Sequence, residues 1–304
     1  MINSIKSSRE KNRIVKKQFV CIACKNKEFS DYGDLLMKCQ NCGLTVAKQI
    51  PNFAELAKLY KKDYFFGMEY SNYKADRPAL EKNFRNRISF LEPYIKHNSK
   101  VVEIGSAYGY FLNLIKEDIA WHKGFDVSKE GTKYAKNKLH VNASSDDFLK
   151  DHEIKSNSID LICMWDVIEH LGEPDKHIEK AAKLLKKNGA LSLTTGDISA
   201  LIPRIRGTKW RIIHPPTHIY YFTPESIKNL LAQYSLEVVR IRYKSTYRNT
   251  GSVFNQLLCN REALSKSTSF LDLCYKASKS IKLDKLNIPL NLYDIMEVTA
   301  IKSS

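Results

Sequence analysis

Four of the seven cysteines, Cys21, Cys24, Cys39 and Cys42, form a C-x2-C-x14-C-x2-C pattern. Each pair is a knuckle whose two thiolates reach one ion, and two knuckles complete a tetrahedral site. Four thiolates leave no open position, so the zinc selected by such a site is structural. Asn41-Cys42-Gly43 suits a knuckle, because a residue at or just after the second cysteine often needs positive φ. Two disulfides or four unrelated thiols are the alternative, which this spacing in a cytoplasmic chain disfavours. Cys163, Cys259 and Cys274 have no such partners and read as buried thiols.

A second chemical centre lies in VVEIGSAYGYF, residues 101–111, where Gly105, Ala107 and Gly109 follow one another at spacing two. Small residues at this spacing let a backbone turn approach a ligand closely. A dinucleotide fingerprint would put a small residue five after its first glycine, yet position 110 is Tyr, and Glu103 two before that glycine is foreign to it. The third centre is a set of histidines. His170 follows a short apolar run, and His214 and His218 lie in WRIIHPPTHIYYF, residues 210–222. Such imidazoles serve as general bases or metal ligands near neutral pH.

The elements that carry these residues alternate. Lys100–Ile104 reads as a strand, followed by helical periodicity through Phe111, Leu112, Leu114 and Ile115. A strand near 120–126, a helix near 129–139 and a strand starting at His140 come next. Ile159–Met164 is a further strand, and Asp175–Lys187 a helix that Asn188-Gly189 stops. Ala190–Thr195 and Leu236–Tyr243 are strands, Thr223-Pro224-Glu225 opens a helix, and Tyr293–Lys302 is the last strand. This alternation predicts an α/β fold, a doubly wound sheet with helices on both faces. Open sheets of this kind bind ligands at the carboxyl ends of their strands, where the glycine turn and the histidine loops fall.

The E-x-G-x-A-x-G turn resembles the E/D-x-G-x-G-x-G motif of class I S-adenosylmethionine-dependent methyltransferases, with Ala107 in place of the middle glycine. Gly124-Phe125-Asp126-Val127-Ser128, Ser144-Ser145-Asp146-Asp147-Phe148 and Trp165-Asp166-Val167-Ile168-Glu169-His170-Leu171 extend the likeness over residues 100–245. The resemblance implies a seven-stranded sheet with its last strand antiparallel, and S-adenosylmethionine as methyl donor. It implies a cofactor site of Glu103, Gly105, Ala107, Gly109, Asp126, Val127 and Trp165. Asp126, 21 residues after Gly105, suits the ribose hydroxyls, and either Asp146 or Asp147 lies beside the adenine amine. The catalytic set is His218 as general base, with His170 and Glu169. A metal variant has Asp166, Glu169, His170 and His218 holding Mg²⁺ or a similar ion, as in small-RNA 2′-O-methyltransferases. The other variant has Glu169-His170 shaping the pocket without metal.

Three segments are expected: a basic N-terminus and zinc ribbon over 1–48, a helical, aromatic linker and lid over 49–99, and the methyltransferase domain over 100–304, with a helical insertion at 246–290. The aromatics Tyr60, Tyr64, Phe65, Phe66, Tyr70 and Tyr73 either dock the ribbon or cover the substrate. The ribbon, the Tyr60–Phe65 stretch and the final strand together resemble bacterial methyltransferases of surface-polysaccharide and deoxysugar pathways. That likeness implies a hydroxyl of a sugar or sugar-linked, anionic small molecule as acceptor. The 304 residues carry 49 Lys and Arg against 33 Asp and Glu, a net charge of +16, which favours an anionic partner. An RNA 2′-O-methyltransferase is therefore the first rival, and a non-enzymatic scaffold on a degenerate fold the second. No apolar run spans a bilayer and no secretory signal is legible, so a cytoplasmic enzyme is expected. Composition, 43% hydrophobic and 27% charged, excludes a wholly disordered or collagenous chain.

Overall fold

The computed structural model describes residues 19–51, 74, 76–250 and 286–303. The basic N-terminus, the aromatic stretch Tyr60 to Tyr73, Cys259, Cys274 and the helical reading of the insertion lie outside the described residues. In chain order, β1 (Phe29–Tyr32), β2 (Leu36–Cys39) and β3 (Thr45–Ala47) precede α1 (Arg77–Leu91). Then come β4 (Lys100–Ile104), α2 (Tyr110–Ile115), β5 (Trp121–Phe125), α3 (Lys129–Leu139) and β6 (Ala143–Ser144). They are followed by β7 (Ile159–Trp165), α4 (Pro174–Leu184), β8 (Leu185–Gly196), α5 (Leu201–Arg206), β9 (Tyr220–Tyr221) and α6 (Pro224–Ala232). The chain closes with β10 (Leu236–Tyr243), β11 (Thr246–Asn249), β12 (Asn287–Leu290) and β13 (Ile295–Lys302).

Seven strands form one sheet in the order β10-β13-β8-β7-β4-β5-β6. The pairs β4 with β5, β4 with β7, β5 with β6 and β7 with β8 are parallel, whereas β13 runs antiparallel to both its neighbours. The expected seven-stranded methyltransferase sheet with a late antiparallel insertion is therefore present. Its central strands are near-continuous apolar runs, because both faces are covered by helices. Val101, Val102, Ile159, Leu161, Ile162 and Met164 are all fully buried.

Local chemistry sets the edges of these elements. Thr223 accepts from the Ser226 amide while Ser226 Oγ accepts from the Thr223 amide, a reciprocal cap with Pro224 in the first turn, as its sequence predicts. Ser128 caps α3, but His140 ends that helix in a left-handed conformation, φ +53°. The strand expected to start at His140 accordingly starts at Ala143. The helix expected over Asp175–Lys187 stops at Leu184, because Leu185 already pairs with Ile159. Asn188, at φ +62°, and Gly189 thus lie inside β8 instead of ending a helix. A Cβ on Gly189 would sit 2.9 Å from Lys186 O and 3.0 Å from Ile159 O, so the strand tolerates only glycine there. At the other end, Tyr293 takes φ +52° and β13 begins two residues later than expected.

The four-cysteine segment does not stand apart. β1, β2 and β3 form an antiparallel sheet whose fourth strand is β9, from the loop after β8. Its buried residues Leu36, Leu44 and Val46 share one core with Tyr221, Phe222, Leu230 and Met296. The described ends of the expected insertion form an antiparallel pair, β11 with β12. Among the described residues no helix is long and apolar enough to cross a membrane.

Candidate cofactor and catalytic site

The turn after β4 is built from left-handed residues: Gly105 at φ +76°, Ala107 at +45° and Gly109 at +74°. A Cβ on Gly105 would lie 2.2 Å from Val167 Cγ2, and one on Gly109 2.8 Å from Ala135 Cβ. Both conformation and space demand glycine at these two positions. Ala107 takes its left-handed conformation at the modest cost of an L-residue there. Asp126 closes the turn: Oδ2 accepts from the Ala107 amide at 2.8 Å and Oδ1 from the Ser128 amide at 2.8 Å. Burial pushes its carboxyl upward, and these two amides pull it back. Glu103 is buried on β4, where burial first and the Asp126 charge second raise its carboxyl well above the usual range. Glu103 Oε2, Ser106 Oγ and Trp165 Nε1 are buried polar atoms with no hydrogen-bond partner. Such a concentration at strand ends calls for a polar ligand or water.

Of the paired acids after β6, Asp147 is engaged locally, its Oδ1 accepting from the Leu149 amide to cap a short turn. Asp146 is exposed and receives the Ser144 hydroxyl. Val127 is half exposed beside Asp126. Trp165 packs edge-on against Phe111, with the Arg87 guanidinium over its ring at 4.6 Å.

Glu169, His170 and His218 come together: one ligand atom from each lies within 4.8 Å of the others. Asp166 is the exception to the expected set of four. It takes a left-handed φ of +57°, its Oδ1 accepts the Thr194 hydroxyl at 2.8 Å, and Arg87 stands 3.6 Å from Oδ2. These anchors hold its carboxylate on β8, away from the imidazoles. His218 Nδ1 donates to Ile212 O and His170 Nδ1 to Thr217 O, both at 2.8 Å. His214 Nδ1 donates to Thr217 Oγ1 at 2.7 Å, since that hydroxyl itself donates to His214 O. Nδ1 is thus the committed donor on all three rings. The His218 ring lies 4.3 Å from His170 and 3.9 Å from His214, centre to centre. Burial, then the charges of His170 and His214, push His218 far below the usual imidazole value, so it is neutral.

No site residue was expected on α1. A cleft lined by Asn83, Asn86 and Arg87 on one face of α1 opens beside Thr194 and Lys244. Asn83 ties α1 to β11 through both backbone groups of Tyr247, which fixes Arg87 over Trp165. The signal was the i, i+3, i+4 spacing of these polar residues on a helix otherwise assigned to a linker.

The four cysteines also converge. All four sulfurs lie within 4.8 Å of one another, with Cys21 to Cys42 at 3.6 Å and Cys24 to Cys39 at 3.5 Å, and none is in a disulfide. A tetrahedral ion with sulfur at about 2.3 Å would set these distances near ~3.8 Å, so the arrangement fits zinc. Cys21 is held down at about 7, chiefly by the Cys42 thiol, which is itself pushed up.

Residues 73–241 match the family described as Methyltransferase domain. Over 105 residues the chain is 31% identical to the ubiquinone biosynthesis O-methyltransferase of Pelagibacter ubique (strain HTCC1062), a match covering 32% of this chain and 42% of that protein. The chain therefore spans less than half the length of that curated relative. Among solved structures, the fold is similar to a SAM-dependent methyltransferase from Archaeoglobus fulgidus, with TM-score 0.52 and 20% identity over 80% of this chain and all of that one. It is also similar to the YcgJ protein from Bacillus subtilis, with TM-score 0.52 and 13% identity over 73% and 98% of the two chains.

Proposed function

The chain belongs to the methyltransferase-domain family, and on that premise we propose that it carries the methyl group of S-adenosylmethionine to a hydroxyl of a sugar or sugar-linked anionic small molecule. The observation that carries this reading is the pairing, at the carboxyl ends of one sheet, of the glycine turn closed by Asp126 with the adjacent rings of His170 and His218. Asp126 and Asp146 would hold the ribose and adenine, and Glu103, Gly105, Ala107, Gly109, Val127 and Trp165 would line the donor. The sulfonium methyl is already activated, so alignment supplies much of the rate. His218 Nε2 takes the hydroxyl proton as oxygen attacks the methyl carbon, the carbon–sulfur bond breaks, and S-adenosylhomocysteine leaves with a methyl ether.

Oxygen as acceptor is supported by the O-methyltransferase relative, and a negative acceptor by Arg87 and Lys244 in the cleft beside Asp166. A cytoplasmic setting, in which four thiolates stay reduced and hold zinc, belongs to the same reading. A second reading is favoured by the convergence of Glu169, His170 and His218: these three would hold a divalent cation against the acceptor oxygen and lower its pKa. In that case chelation abolishes turnover.

The test offers methyl-labelled S-adenosylmethionine with nucleotide sugars, neutral sugars, phenols and RNA. Label is expected in an anionic, sugar-linked acceptor. Transfer to RNA that fades steeply with salt would establish the rival instead, and donor binding without transfer to any acceptor class would favour the scaffold.

A further inference from the structure

The four-cysteine ribbon grips the polypeptide that follows His218. Ile219, the residue after His218, donates its amide to Glu169 O at 2.9 Å and accepts from the Ala47 amide at 2.8 Å. One residue thus joins the cluster to the ribbon's last strand, whose pairing continues as Val46 with Tyr220 and Thr45 with Tyr221. Leu44, Thr45, Val46 and Ala47 are fully buried in this contact. The two knuckles then hold the two ends of α6. Thr223, its N-cap, donates Oγ1 to Cys42 O at 2.9 Å, and Gly43 is so close that a Cβ there would touch the Thr223 methyl at 3.3 Å. At the far end Gln233 Nε2 donates to Ile22 O and Ala23 O at 2.9 and 2.8 Å.

From these contacts we infer that the four-cysteine site is a positioning device for the acceptor side of the active site: zinc bound there fixes β3 against β9 and so sets the place of His218. Ribbon strands of three and four residues have too little core to order themselves, and a structural ion supplies that order. Removing it frees the knuckles, the Ala47 amide leaves Ile219 O, and the loop carrying His214 and His218 loses one wall. The donor turn at 101–111 has no hydrogen bond to the ribbon among those described, and it stays in place. Thr223 and Gln233 are positioning residues on this account. The inference rests on the methyltransferase reading for its consequence in turnover, but its structural core does not.

The experiment is hydrogen–deuterium exchange on the full chain, zinc-loaded and after chelation, with metal analysis of both. About one zinc per chain is expected at the start. On its loss, peptides within 212–223 should exchange at least ~10-fold faster, while 101–111 and 185–196 are unchanged and S-adenosylhomocysteine affinity stays within about threefold. Thr223→Val keeps the side-chain shape and all four thiols. It should retain zinc and donor affinity, speed exchange in 212–223 and lower kcat by about five- to tenfold, and Thr223→Ser should restore both. The inference is overturned by protein purified without zinc, by protected 212–223 after zinc loss, by loss of protection across the whole sheet, or by Thr223→Val exchanging like wild type. Failure to find any methyl acceptor leaves these exchange outcomes decisive and counts against the functional reading alone.

Discussion

His218→Ala is expected to lower turnover by about 10²–10⁴ while donor affinity stays unchanged, the range for loss of a positioned general base. The imidazole is neutral because it is buried beside His170 and His214. Its Nδ1 is committed to Ile212 O, which leaves Nε2 for the acceptor proton. A negatively charged acceptor raises the proton affinity of that nitrogen on binding, so the base gains strength when it is needed. His170→Ala is expected to cost less, since His170 flanks the ring at 4.3 Å without replacing it. Equal and severe losses in both variants, with inhibition by chelators, would instead identify the cation reading. Wild-type turnover in both would leave the reaction to alignment alone and refute the catalytic assignment.

The second large effect lies on the donor side. Asp126→Ala is expected to weaken S-adenosylmethionine binding by about 1.5–3 kcal/mol, the cost of removing a charged hydrogen-bond partner from a partly buried site. The side chain also holds the Ala107 and Ser128 amides, so the turn at Gly105–Gly109 loses its closure with the ligand contact. Calorimetry decides the matter. An affinity equal to wild type would show that the ribose is held elsewhere.

Much of this architecture was legible because the chemistry that makes it is local. The small-residue spacing of the turn at 101–111, the cap at Thr223 and the apolar runs of β4 and β7 all follow from neighbours in sequence. So does the fourfold cysteine pattern. What stayed hidden depends on contacts far apart in the chain. Tyr220–Tyr221 is a two-residue strand with no period of its own, and only its partner Thr45–Val46, some 175 residues away, makes it one. Asp166 has the type and spacing of a metal ligand, but Thr194 and Arg87 draw it off, and neither is near it in sequence. Asp146 and Asp147 are alike in sequence, and only the fold shows that Asp147 caps the turn at Phe148.

The most direct test of the whole account is a crystal structure of the zinc-loaded chain with S-adenosylhomocysteine. The account predicts the ribose hydroxyls on Asp126, the amino-acid end over the Gly105–Gly109 turn, and the sulfur facing the His170–His218 pair. A ligand seated away from the carboxyl ends of β4 and β5, or a sulfur turned from those imidazoles, would contradict it.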